Sequence, residues 1–191
     1  MKRKAAERNC AVAGSVAVCE NGNYYNRFYF VHPDGAVQHY DKKHLFTFGG
    51  EHKRFTAGTE RVVVNFRGVR ILLEVCYDLR FPVWSRNLGD YDMILYVASW
   101  PTPRVDAWSA LLRARAIENQ CYVAGVNRMG TDPACEYSGG SAIIDPYGKT
   151  IAECPWSRES AVSAEIDMEA LQAFRKKFPV LDLSLIHISE P

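Results

Sequence analysis

Apolar positions along the chain alternate between the two-residue period of strands and the 3.6-residue period of helices. Residues 92–99 (DMILYVAS) form a continuous apolar run, which predicts a strand buried on both faces. The clearest helix spans residues 105–119, where Trp108, Leu111, Leu112 and Ala116 fall on one face. The same pattern predicts further strands at 11–18, 26–31, 36–40, 61–66, 69–75, 121–127, 141–144, 150–154 and 161–166, and a last helix at 168–177.

Turn sequences join three pairs of these strands. They are Pro33-Asp34-Gly35, Arg67-Gly68 and Pro146-Tyr147-Gly148, and such turns suit hairpins because Pro fixes φ and Gly accepts a positive φ. Strands that alternate with helices and close in hairpins predict an α/β fold with a mixed sheet. Several strands are apolar on both faces, so we expect a layer on each side of the sheet.

Length and composition narrow the function classes. A chain of 191 residues fits one domain, and its net charge of +1 gives no field that would attract nucleic acid or an anionic membrane. The basic start (MKRKAAER) and the apolar residues 11–18 follow the order of a signal peptide, but the apolar part is short and contains Gly14 and Ser15. Six cysteines without a C-x-x-C pair indicate reduced thiols and a cytoplasmic protein.

The window of residues 69–88 is the most informative for chemistry. An apolar strand runs into Cys76, and Pro82 follows where a first helical turn begins. A strand, a sharp turn and a helix in this order are typical of an exposed nucleophile. A helix dipole and nearby cations are expected to lower the pKa of such a thiol. A buried structural cysteine is the alternative, and Glu74 is predicted to share the strand face of Cys76.

A second window, residues 40–58, mixes charged and aromatic side chains. A solvated charged loop is the ordinary interpretation. The interleaved aromatic residues indicate instead that part of the loop folds over another part of the structure. The side chains concerned are Lys42, Lys43, His44, Phe46, Phe48, Glu51, His52 and Phe55.

Four motifs occur in order: Y-x-K-x-H-L-F at 40–46, E-x-x-x-F-x-x-G at 51–58, V-C-Y-D-L-R-F-P at 75–82 and R-A-I-E-N-Q at 115–120. Together they resemble the nitrilase (carbon–nitrogen hydrolase) superfamily. The run CYDLRFPVWSRN, with Ser99-Trp100-Pro101, resembles its ω-amidase branch, which hydrolyses the distal amide of 2-oxo-dicarboxylic acid monoamides such as 2-oxoglutaramate. The resemblance implies an α-β-β-α sandwich with mixed sheets, a small-molecule amide substrate, no cofactor, and a homodimer.

The resemblance also implies site residues. The family's nucleophile matches Cys76, its lysine matches Lys42 and its second glutamate matches Glu51. The Cys76 thiolate would attack the amide carbon and form a thioester as ammonia leaves. Lys42 and the backbone N–H of Tyr77 would stabilise the oxyanion, and Glu51 would orient Lys42.

Two further expectations concern substrate binding. Trp100 is expected to form a wall of the pocket, with an ordinary core aromatic as the alternative. A 2-oxo acid amide would need a cation for its carboxylate, and Arg80, Arg104 and Arg128 are candidates among which the sequence does not choose.

The start of the chain departs from the family pattern. The family's proton-shuttling glutamate lies on an early strand, whereas only Glu7 and Glu20 precede Lys42 here and neither ends an apolar strand. We therefore expect residues 1–182 to be a partial hydrolase domain, incomplete at the N-terminus and inactive or nearly so. Residues 183–191 (LSLIHISEP) are expected to be a non-native tail.

Three other functions remain open at this point. The first is a Cys–His hydrolase in which His44 or His52 is the base for Cys76. The second is a binding module without activity, and the third is a different carbon–nitrogen hydrolase such as a nitrilase or carbamoylase. A zinc site is disfavoured, and no metal is expected, because the histidines at 32, 39, 44 and 52 match no ligand spacing.

Overall fold

Both helices and all but one of the strands expected from the sequence are present in a computed structural model that describes residues 1–182. The tail predicted at 183–191 lies outside the described residues. The strands are β1 (Val12–Glu20), β2 (Asn23–Val31), β3 (Val37–Asp41), β4 (Val63–Phe66), β5 (Val69–Val75), β6 (Met93–Ala98), β7 (Tyr122–Asn127), β8 (Met129–Thr131), β9 (Glu136–Ser138), β10 (Ala142–Ile144) and β11 (Thr150–Glu153). The α-helices are α1 (Lys2–Arg8), α2 (Pro82–Ser85), α3 (Val105–Glu118) and α4 (Met168–Lys177).

The larger sheet has six strands in the order β11-β10-β7-β6-β5-β4. Its central strands β5, β6 and β7 are parallel, and the outer pairings are antiparallel, so the prediction of a mixed sheet is confirmed. Strands β1, β2 and β3 form a separate antiparallel sheet. All three predicted hairpins are present, as β2–β3, β4–β5 and β10–β11.

The alternation of side chains along β5 divides the core into two layers. Ile71, Leu73 and Val75 point to the three-stranded sheet and meet Phe28 and Tyr40. On the opposite face, the core side chains of the large sheet pack against α3. This second cluster includes Leu72, Ile94, Tyr96, Trp108, Leu112 and Ala116. Each large apolar side chain buried in this way contributes about 1.5–3 kcal/mol. The result is a mixed α/β sandwich in which the large sheet is covered on both faces.

One predicted strand is wrong. Residues 161–166 form no strand; four of the six are exposed, and the segment crosses the surface between β11 and α4. The sequence alternates there, but a strand also needs a neighbour for its backbone groups, and no ladder of the described sheets includes these residues. The short hairpin β8–β9 was not predicted.

Two side chains of helix α4, Leu171 and Arg175, contribute to its anchoring. Leu171 is buried, and the Arg175 guanidinium donates to Asp92 Oδ1, Tyr91 O and Gln120 O, each at 2.9 Å. The helix begins with a side-chain cap, in which the Asp167 carboxylate accepts from the N–H of Ala170 at 2.8 Å. Across residues 1–182, no helix has the length and apolar character needed to cross a membrane.

Candidate active site

Parallel strands bring the predicted site residues to one edge of the large sheet. Because β5 and β6 run in the same direction, the residues that follow them, Cys76 and Ser99-Trp100, meet at the same edge. A cavity of about 990 Å³ opens there. Its lining includes all five residues predicted from the sequence: Lys42, Glu51, Cys76, Tyr77 and Trp100.

Cys76 occupies a strained turn. Its φ is +51°, a left-handed conformation that is uncommon outside glycine and costs about 1–3 kcal/mol. It starts a 3-10 helix, Cys76–Arg80, and Pro82 then opens α2, as the sequence predicted. Tyr77 lies in the first turn of that 3-10 helix, where backbone N–H groups lack partners within the helix. Both Cys76 and Tyr77 of this turn line the same cavity.

Lys42 and Glu51 form a largely buried ion pair. Lys42 Nζ lies 2.6 Å from Glu51 Oε2, and the two side chains are 3% and 15% exposed. Glu51 also accepts from the N–H of Phe46 at 2.6 Å and from Asn26 Nδ2 at 3.2 Å. Burial acts to raise the pKa of Glu51, but Lys42 and these hydrogen bonds outweigh it and hold the pKa below its ordinary value. Lys43 lies elsewhere, over the ring of Trp84.

The pKa of the Cys76 thiol is raised, whereas the sequence led us to expect a lowered pKa. Burial raises the pKa of Cys76, and the nearby charge of Lys42 offsets this only in part. The helix that follows is short, since α2 has four residues, so a long helix dipole is absent from this turn. The Sγ atom is 3.9 Å from Ser99 O. The pKa of the Cys76 thiol therefore lies above its ordinary value.

The rival Cys–His arrangement finds no support in the geometry. His44 Nδ1 donates to Asp78 Oδ1 at 2.8 Å and its ring stacks on Phe81, while His52 is exposed. Within residues 1–182, Cys76 Sγ makes no hydrogen bond to an imidazole; its partner is Ser99 O. In the same range, no three His, Cys, Asp or Glu side chains form a group that could hold a metal ion.

The other three glutamates considered from the sequence, Glu7, Glu20 and Glu74, are absent from the described lining of the cavity. Glu7 pairs with Arg3 and Lys4 on α1, and Glu20 pairs with Arg27. Glu74 is fully buried in the core, where Ser85 Oγ donates to its Oε2 at 2.9 Å. Burial, with a smaller contribution from the charge of Asp78, raises the pKa of Glu74 to about 8. Glu74 is thus buried in the core and is not among the residues that line the cavity with Cys76.

Three arginines also line the cavity. Arg80 lies over the ring of Trp100 at 5.2 Å and Arg104 over Phe46 at 5.4 Å. Arg128 lies over Tyr137 and is 3.9 Å from Asp132. Trp100 combines the two roles considered for it, because it lines the cavity and is also packed in the core against Trp108.

Sequence reasoning missed the side chains that support this site from below. Asp78 is completely buried and accepts hydrogen bonds from Tyr40, His44 and Val75. Arg115 of α3 donates to Leu79 O at 2.6 Å and so ties the helix to the turn. Both residues stand inside the quoted motifs, at V-C-Y-D and R-A-I-E-N-Q, which was the available signal.

The chain is similar to known proteins. Residues 1–176 match the family described as carbon–nitrogen hydrolase. Omega-amidase YafV of Escherichia coli is 53% identical over 180 residues, which are 94% of this chain and 70% of that protein. The 2-oxoglutaramate amidase of Bacillus subtilis is 42% identical over 174 residues, 90% of this chain and 67% of that protein.

A solved structure agrees with these relatives. The crystal structure of a CN-hydrolase superfamily protein from Xanthomonas campestris, with an arsenic adduct in its active site, is 46% identical. The TM-score is 0.91, and the match covers 94% of this chain and 71% of that one. Family, relatives and fold agree, and we conclude that the chain belongs to the carbon–nitrogen hydrolase family of the nitrilase superfamily.

Proposed function

We propose that the chain is a thiol amidohydrolase that releases ammonia from the distal amide of a small 2-oxo dicarboxylic acid monoamide, with 2-oxoglutaramate as the substrate. The observation that carries the proposal is the placement of Cys76, Tyr77 and the Lys42–Glu51 pair around one cavity. The identity to an omega-amidase and to a 2-oxoglutaramate amidase supports the choice of substrate.

The proposed reaction runs through a thioester. Cys76 Sγ attacks the amide carbon, its proton passes by way of a carboxylate to the leaving nitrogen, and the C–N bond breaks to release ammonia. Water then adds to the thioester, the C–S bond breaks, and the thiol regains its proton as the acid leaves. Lys42 Nζ and the N–H of Tyr77 stabilise the oxyanion in both steps.

The charge of the cavity favours an anionic substrate. Its described lining carries four cationic side chains, Lys42, Arg80, Arg104 and Arg128, against the single carboxylate of Glu51. Glu51 neutralises Lys42, and Asp132 lies near Arg128. Arg80 and Arg104 contact aromatic faces, which leaves the edges of their guanidinium groups free for a carboxylate. These two arginines therefore suit a 2-oxo acid better than an uncharged amide.

The proton shuttle limits the expected activity of this chain. Glu51 is held by three hydrogen bonds in its role beside Lys42, and no other carboxylate lines the cavity within residues 1–182. We therefore propose that the 191-residue chain alone hydrolyses amides very slowly, because the second carboxylate of the family's catalytic set is not among these residues.

Ammonia release from 2-oxoglutaramate tests the proposal, with Cys76→Ala as the blank and Cys19→Ala, at an exposed thiol, as the matched control. The assay is run on the 191-residue chain and on any longer chain that its gene encodes. Release that is lost in Cys76→Ala and kept in Cys19→Ala supports the thiol amidase. Release only from a nitrile or a carbamoyl compound keeps the mechanism and refutes the substrate. If no folded chain tested in this assay releases ammonia, the activity is refuted and a binding module is favoured.

We also propose a cytoplasmic homodimer. The six cysteines are all free, which fits a reducing compartment. The dimer rests on the family resemblance, and sedimentation at micromolar concentration tests it; a monomer there refutes it.

A further inference from the structure

Asp78 lies two residues after Cys76 and is completely buried beneath the turn. Its carboxylate accepts four hydrogen bonds. Oδ2 accepts from Tyr40 OH at 2.8 Å and from the N–H of Val75 at 3.0 Å. Oδ1 accepts from the N–H of His44 at 2.9 Å and from His44 Nδ1 at 2.8 Å. A carboxylate has about four acceptor sites, so donors occupy all of them.

These bonds join the two halves of the site. Val75 directly precedes Cys76, and its N–H is fixed at the point where the chain enters the left-handed turn. Tyr40 and His44 each lie two residues from Lys42. Tyr40 OH also accepts from the N–H of Lys43 at 3.0 Å. Hydrogen bonds, direct or through Tyr40, therefore connect the chain on both sides of Lys42 to the Asp78 carboxylate.

We propose that Asp78 is a positioning residue that fixes Lys42 opposite Cys76. The inference rests on the proposed function, in which Lys42 stabilises the oxyanion formed at the carbon that Cys76 attacks. Asp78 touches neither reacting atom and acts through the backbone at Val75 and the loop that carries Lys42. A buried, fully bonded carboxylate suits this role because losing any of its donors leaves a buried acceptor unsatisfied, which resists displacement of either segment.

The reactivity of the Cys76 thiol separates positioning from a simple charge effect. Three charged groups act on this thiol: Lys42 lowers its pKa, whereas Glu51 and Asp78 raise it. If Asp78 acted only as a nearby charge, Asp78→Asn would lower the thiol pKa and speed alkylation at neutral pH. If Asp78 positions Lys42, the thiol loses its stabilising cation, and alkylation becomes slower.

The test compares Asp78→Asn and Tyr40→Phe with a matched control. Asp92→Asn removes another buried aspartate, bonded to Arg70 and Arg175 at the far end of β6. Alkylation of Cys76 by iodoacetamide is followed by mass spectrometry from pH 6 to 10. The values of kcat and KM for 2-oxoglutaramate are measured on whichever chain of the ammonia assay releases ammonia at a measurable rate. Since a misplacement of about 1 Å lowers rates roughly 100-fold, we expect that loss of kcat in Asp78→Asn, with little change in KM. Tyr40→Phe removes the hydroxyl that joins Asp78 to the N–H of Lys43, and it removes no charge, so a smaller loss of about 10-fold is expected.

The outcomes are distinct. Slower alkylation of Cys76 in Asp78→Asn and Tyr40→Phe, with normal alkylation in Asp92→Asn, supports the proposal. Faster or unchanged alkylation in a folded Asp78→Asn, with kcat unchanged, overturns it. If Asp78→Asn does not fold, Tyr40→Phe decides, and unchanged alkylation there overturns the proposal. If neither the 191-residue chain nor any longer chain that its gene encodes releases ammonia, the proposed function fails, while the alkylation comparison still tests the role of Asp78.

Discussion

Replacing Glu51 by Gln tests the buried ion pair of the site. The carboxylate of Glu51 holds Lys42 Nζ and the N–H of Phe46 at 2.6 Å each, and Asn26 Nδ2 at 3.2 Å. A glutamine of the same shape can keep an oxygen toward Lys42 and Phe46, and the amide of Asn26 can turn to offer its oxygen. The substitution therefore removes the negative charge while retaining most of the hydrogen bonds.

The expected loss follows from the burial of Lys42. Its side chain is 3% exposed, so the ammonium group is left in the interior without a counter-charge. Breaking a buried pair costs about 3–5 kcal/mol, and the retained hydrogen bond places Glu51→Gln near 3 kcal/mol at pH 7. With a urea dependence of about 2 kcal/mol/M, the unfolding midpoint falls by about 1.5 M.

The pH dependence gives the sharper test. The pKa of Glu51 is lowered in the folded protein, so its stabilising effect is present above the ordinary glutamate value of about 4.3. The effect is lost as the pH falls through the folded pKa, where Glu51 becomes neutral like glutamine. The difference in unfolding free energy between the two proteins is thus largest near pH 7 and shrinks below pH 4.

Urea unfolding at pH 7 and at pH 3.5, followed by far-UV circular dichroism, measures the difference. Glu7→Gln is the control, because Glu7 forms exposed pairs on α1, and its removal changes stability by at most about 0.5 kcal/mol. Equal midpoints for Glu51→Gln and the parent at pH 7, or a difference that persists unchanged at pH 3.5, would refute the reasoning.

Three further predictions concern the cavity and the core. Lys42→Met removes one hydrogen-bond donor to the oxyanion, so kcat for 2-oxoglutaramate is expected to fall about 10²–10³-fold, with little change in KM. An unchanged kcat excludes oxyanion stabilisation by Lys42. Arg104→Met removes a guanidinium group whose edge is free to bind a carboxylate. The KM for 2-oxoglutaramate is therefore expected to rise about 10-fold, while the KM for a neutral amide stays constant. Equal changes of KM for both substrates contradict carboxylate binding by Arg104. Glu74→Gln removes a group whose pKa is raised to about 8. As the pH rises from 4.5 to 7, the unsubstituted protein therefore loses about 3 kcal/mol of unfolding free energy relative to the variant, measured by urea unfolding. A stability difference that stays constant with pH shows that Glu74 ionises normally.

The placement of the site could be predicted because it depends on short-range patterns. The apolar run into Cys76, Pro82 at the start of a helical turn, and the run at 92–99 define parallel strands whose ends meet. Lys42 came from a motif rather than from periodicity. The structure then brings these residues to one cavity, as the order of motifs indicated.

The electrostatics could not be predicted because they depend on burial from distant segments. The direction of the Cys76 pKa shift is a balance between desolvation and Lys42, and residues 34 positions away in sequence enclose the thiol. Asp78 looks like an ordinary turn aspartate in sequence, and three of its four hydrogen bonds come from Tyr40 and His44, in a distant stretch of chain. The strand expected at 161–166 fails for a similar reason, since sequence alternation does not supply a neighbouring strand.

The attachment of α4 has a consequence for how the molecule opens. The helix follows an exposed segment without ladder bonds and is held by Leu171 and by the Arg175 contacts to Asp92, Tyr91 and Gln120. Such a unit can detach while the sheets remain intact, so its amide protons exchange with solvent at a lower free energy than those of β5–β7. A protease would accordingly cut first in residues 155–167. The trimmed protein would keep its cavity but would expose the oxygens of Tyr91 and Asp92 that accept hydrogen bonds from Arg175.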